Sequence, residues 1–137
     1  MLYLHIVGVI VLASILASST DWLFFDVLVH RYYQAAPEVW RAGSQGRRIV
    51  LSQLIGTLAC AAMVMLYLSV PHWRVPGRPA ALALIVWCAG PLPVVLQQWQ
   101  WMRIHPAVAA GHAAGWLARL AITALLAAWL LPRFAGT

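Results

Sequence analysis

The 137-residue chain contains no lysine and only three acidic residues, Asp21, Asp26 and Glu38. Charged residues make up 9% of it, against roughly a quarter in an ordinary soluble domain. That is too little charge to cover a water-soluble globule. All nine basic residues are arginine, and they are spread among short segments rather than gathered on one helix face. The net charge of +6 is therefore no nucleic-acid footprint. The two cysteines, Cys60 and Cys88, stand in no CxxC or Cys/His spacing, so no zinc site is indicated. Both fall inside apolar runs. There they read as small packing residues rather than a disulfide, although their similar depths would let them meet. The opening residues MLYLH carry no Lys or Arg, and a secretory signal needs a basic start. The first run therefore reads as a retained span, with Ala17 to Ser19 as the alternative, a cleavage site.

What the chain has in abundance is long apolar runs: Leu2 to Phe25, Ile49 to Val70, Ala80 to Val95 and Ala107 to Leu131. A helix needs roughly 20 mainly apolar residues to cross a bilayer. The runs predict spans at about 2–30, 49–70, 80–99 and 107–131, the third completed by Gln97, Gln98 and Trp99. Pro37 stops the first, and RAGSQGRR reads as a basic loop. SVPHWRVPGRP makes a tight connector, and GPLP at Gly90 to Pro93 kinks the third helix. The His105–Pro106 break opens the fourth, which ends at Pro132. Trp73, Trp99, Trp101 and Trp129 sit near span ends, where such rings prefer the headgroup layer. Short connections make successive helices antiparallel neighbours. The expected fold is all-α: one membrane domain over residues 1–137, an up-down four-helix bundle.

Arginine placement bears on orientation. Arg31, Arg41, Arg47, Arg48 and Arg103 fall on one side, and Arg74, Arg78 and Arg133 on the other. Positive-inside counting places the 1–2 and 3–4 loops in the cytoplasm and both termini outside.

Charges inside hydrocarbon are costly and usually face a partner or a wet cavity. In the first span Ser14, Ser18 and Asp21 share one face. Asp26 and His30 share another with Ser19 and Trp22, and an α-helix points Asp21 and Asp26 roughly 140° apart. In the fourth span Ala107, Gly111, Gly115 and Arg119 step by four. Gly111 to Gly115 is a GxxxG pattern, which admits another helix backbone, although small residues also fall at that spacing by chance. From the 1–2 loop side Asp21 lies about 13 Å deep and Arg119 about 18–20 Å. An arginine side chain spans several ångströms along its helix, so Asp21–Arg119 is the preferred pair. His112 lies about 8 Å deep, near the level of Asp26. Gln53 lines up with Gly56 and Cys60. Asp21, Asp26, His30, Gln53, Gln97, His112 and Arg119 thus form the candidate cluster, all in one half of the membrane.

The cluster has two readings. In one, Asp21 and Arg119 are a structural pair that fixes helix register. In the other, Arg119 and His112 line a vestibule for a polar or anionic ligand or lipid headgroup, since the guanidinium fork suits carboxylate and phosphate. Asp26, His30 and His112 would ligate a metal only where two helices converge, and neither a metal nor a cofactor is expected. HExxH, GxSxG and similar catalytic motifs are missing. The stretches STDWLFFDVLVHRYYQAAPEVWR and RIHPAVAAGHAAGWLARL resemble small four-span bacterial membrane proteins in families of unknown function. The resemblance implies a bacterial inner-membrane location and supplies no activity. The expectation is a non-enzymatic membrane protein that binds a polar ligand or headgroup, or serves as a helper subunit of a larger membrane complex. The alternative is proton-linked or anion transport by a homo-oligomer, with a small membrane enzyme as a third reading. The partners expected are the lipid bilayer and such a ligand, not nucleic acid.

Overall fold

The computed structural model describes residues 2–34 and 44–135. Pro37 and the first three residues of the expected basic loop, 41–43, lie outside the described residues; the rest of it is not loop, since Ser44 caps α3 and the helix starts at Gln45. Every regular element among those described is helical: α1 (Leu2–Trp22), a π-helical stretch (Leu23–Leu28), α2 (His30–Gln34), α3 (Gln45–Ser69), a 3₁₀ turn (Pro71–Arg74), α4 (Arg78–Ala89), α5 (Pro91–Trp101) and α6 (Pro106–Ala135). The fold is an all-α helical bundle. Four stretches are long and apolar enough to cross a membrane: Tyr3–Leu28, Gly46–Ser69, Arg78–Trp101 and Pro106–Arg133. They mark the chain as a multi-pass membrane protein. Large apolar side chains such as Val7, Ile15, Leu58, Ile85 and Leu125 lie exposed, over a surface far more apolar than water tolerates.

Two other helices depart from the expected outline. The first span is not one continuous α-helix. After Trp22 the backbone widens into a π stretch, with Val29 N bonded to Phe24 O at 3.1 Å, and bends before α2. The fourth helix runs past Pro132 to Ala135. Proline there removes a backbone donor, and Arg133 holds the turn with a bond from Nη1 to Trp129 O at 2.8 Å, its guanidinium over the Trp129 ring. The third span breaks at Gly90, between α4 and α5, with proline opening α5, where its missing N–H costs least. Between α3 and α4, Gly77 takes φ +82°, which glycine adopts without penalty. Arg78 Nη1 bonds His72 across that connector.

α6 is the central helix. It packs most extensively against α1, then α4, α3 and α5. Its buried residues Val108, Gly111, Gly115, Arg119, Leu120, Thr123, Ala124, Ala127 and Leu131 follow the helical three-four spacing, the stripe that points one helix face inward. At one end of the bundle Val9, Met63, Val64, Tyr67, Leu82, Ala124 and Leu131 form an apolar core. At the other end the same helices enclose polar groups.

Candidate functional site

Small residues on α6 bring the first span close. A Cβ added at Gly111 would stand 3.0 Å from Val29 Cγ1, and one at Gly115 would stand 3.5 Å from both Asp21 Oδ1 and Phe25 Cζ. The GxxxG pair is thus a slot for Asp21, Phe25 and Val29. In an α-helix, steps of four drift by about 40° each. The wider π turn offsets that drift and keeps all three residues on α6. Asp26 is exposed on the outside.

One further step of four along α6 stands Arg119, only 4% exposed. Its Nη2 forms a salt bridge with Asp21 Oδ2, and its Nη1 lies 3.7 Å from Cys60 Sγ. The guanidinium carbon is 5.9 Å from the Trp116 ring centroid. The guanidinium also lies flat against Gly56 of α3, where an added Cβ would come within 2.6 Å of Cζ and 2.8 Å of Nη2. Thr123 Oγ1 donates to Arg119 O at 2.8 Å and stands 3.4 Å from Cys60 Sγ. Gly56, Cys60, Trp116 and Thr123 therefore complete the arginine's niche.

Beside the guanidinium is a cavity of about 220 Å³ lined by Asp21, Phe25, Ser52, Ile55, Gly56, His112, Trp116 and Arg119. The His112 ring packs on Phe25 at 4.5 Å between centroids, and its Nε2 shares a 2.5 Å hydrogen bond with Tyr33 Oη. The cavity thus leads through His112 to a residue beyond the apolar span.

Of the residues singled out in the sequence, Asp21, His112 and Arg119 meet at this cavity. Gln53 lies next to it on α3 and accepts from Ser18 Oγ at 2.5 Å. His30 is exposed and bonds Gln34 at 2.8 Å. Asp26 and Gln97 are exposed and line none of this space. Cys60 is buried and Cys88 exposed, both as free thiols. Among the described residues, no three of His, Cys, Asp and Glu come together to hold a metal ion.

Burial pushes the Tyr33 hydroxyl up to about 12 from its ordinary value near 10. The folded protein thus keeps this proton where the unfolded chain has lost it. Tyr33 contributes stability that is complete below pH 10 and lost as pH rises towards 12. The melting temperature should fall over that window, and more gently in Tyr33→Phe. The absorbance difference between the two proteins should report one phenol ionising near pH 12.

The chain matches no protein-family model, no curated protein and no solved structure, so function must be read from this geometry.

Proposed function

We propose that the chain is a non-enzymatic ligand-binding protein of the bacterial inner membrane, whose Arg119 cavity holds one anionic, oxygen-bearing group, a carboxylate or phosphate. The supporting observation is the donor count at the buried guanidinium. Arginine has five N–H donors. Arg119 gives one to Asp21 and one to Cys60, and among the described residues the remaining three have no partner. A guanidinium N–H inside hydrocarbon still calls for an acceptor, and the adjoining 220 Å³ is where one fits. A carboxylate or phosphate supplies two in the plane of the fork. The ion pair with Asp21 lies within the membrane in this reading. The arginine-rich end near the cavity is cytoplasmic, and both termini are outside.

Gly56→Ala tests this without removing a charge. The new methyl would occupy the guanidinium's place and displace Arg119 from the cavity. In phosphatidylcholine nanodiscs, titration calorimetry with methyl phosphate and acetate should show saturable binding of at least one by the unaltered protein. That binding should weaken at least tenfold in Gly56→Ala and stay unchanged in Gly8→Ala, whose added Cβ meets nothing within 4 Å. No saturable binding, or equal binding by Gly56→Ala, rejects the reading.

One observation favours a second reading, proton-linked transport of the same anion. The His112–Tyr33 bond gives the cavity a titratable group with an outlet past the span, as proton relays require. A pH gradient should then drive uptake into proteoliposomes, and His112→Gln should abolish it.

A further inference from the structure

A second space lies on the membrane side of the seam between α1 and α3. It is a groove of about 790 Å³ with exposed Val11, Ile15 and Trp22 along its walls and Ser14, Ser18, Gln53 and Thr57 among its polar residues. The two spaces are neighbours by residue order. On α1, Ser18 and Trp22 face the groove while Asp21 faces the Arg119 cavity. On α3, Gln53 and Thr57 face the groove while Ser52 and Gly56 face the cavity. The seam itself is the partition. The polar link across it is the bond from Ser18 Oγ to Gln53 Oε1. Ser18 Oγ also lies 2.7 Å from Ser14 O. A hydroxyl has one proton to donate, so Ser18 remains satisfied by Ser14 when Gln53 swings away. Opening the link therefore leaves Ser18 without loss.

We infer that the ligand is an acidic amphiphile, which enters from the bilayer between α1 and α3 and lies with its acidic head at Arg119 and its alkyl chain in the groove. This rests on the reading of the Arg119 cavity as an anion site. The cavity has room for a head and not for a tail. The groove supplies apolar walls on the side where the lipid chains are. From Trp22 down to Val11 it runs about 16 Å along α1, enough for a dodecyl chain. Charge complementarity at Arg119 and a wall open to lipid together select an amphiphile over a freely soluble anion. Ser18 and Gln53 are the latch.

A reversible bridge across the seam tests this. Ser18→Cys and Gln53→Cys, in a chain also carrying Cys88→Ser, are joined by a one-carbon bis-thiosulfonate linker that dithiothreitol removes. Binding is measured in phosphatidylcholine nanodiscs for dodecyl phosphate and laurate, and for their short counterparts methyl phosphate and acetate. Bridging should weaken binding of the long-chain probes at least tenfold and of the short ones less than twofold, with dithiothreitol restoring the former in the same sample. Long-chain probes that bind the bridged and released protein equally overturn lateral access. Short probes that bind while long ones fail to bind the released protein overturn the amphiphile assignment. If the unaltered protein binds none of the four, the anion-site reading itself fails, and this inference with it.

Discussion

Arg119→Gln should destabilise the protein by about 3 kcal/mol, the low end of the loss seen when a buried ion pair is cut to one charge. The low end applies because the Asp21 side chain keeps 25% of its exposure and is not wholly stripped of water. The cost comes less from the lost attraction than from the carboxylate left alone. Asp21→Asn strands the guanidinium instead, with only Cys60 as a side-chain acceptor, and should cost at least as much. The double change Asp21→Asn with Arg119→Gln leaves two neutral amides in contact and should recover most of the loss. Exchanging the residues, Asp21→Arg with Arg119→Asp, should recover less. The recess at Gly56 accommodates a guanidinium carried by α6 and offers nothing comparable to one carried by α1. Thermal unfolding in a mild detergent ranks the four proteins. A double variant no more stable than the single ones would show that the pair is not what holds this end together.

The second large effect is steric. Gly115→Leu and Gly111→Leu should each destabilise by about 3 kcal/mol, the upper range for forcing bulk into a packed contact. Both side chains would have to occupy the space of Asp21, Phe25 or Val29. The alanine variants separate the two positions. At Gly115 the new methyl meets its neighbours at 3.5 Å, an ordinary contact, so Gly115→Ala should be nearly neutral. At Gly111 it stands 3.0 Å from Val29 Cγ1 and should cost measurably more. The same thermal series, with Gly8→Leu as the exposed control, measures this. Leucine tolerated at both positions would mean that the first span does not seat in this slot.

Much of the site can be read from spacing. Steps of four along one helix, together with depth, bring Arg119, the two glycines and Asp21 into one region before any coordinates are considered, because helical rise and turn are nearly invariant. The four apolar stretches are legible for the same reason. The residues that shape the niche are not. Gly56 and Cys60 share a face of α3, yet nothing in one sequence says which face meets Arg119. Tyr33 is hidden by the π stretch, since an extra residue per turn shifts every position beyond it. Asp26 and His30 lie away from the cavity although depth groups Asp26 with His112, because the helical angle of about 140° from Asp21 turns Asp26 to another face. Gln97 is exposed on α5 and does not line the cavity; depth carries no information about rotation of α5. Pro132 stops fewer bonds than its reputation suggests, because Arg133 reaches the Trp129 carbonyl.

The apolar core at one end makes the bundle mechanically lopsided. Val9, Met63, Val64 and Leu131 pack together there, so a tilt of α1 about that end would be felt most at the other. Asp21 sits about 18 Å along α1 from Val9, so a 10° tilt about that end moves it by about 3 Å. That is enough to part a hydrogen bond, while the side chains at the pivot stay where they are. In such a tilt the apolar end would be the fulcrum, and the polar end would have the long arm of the lever.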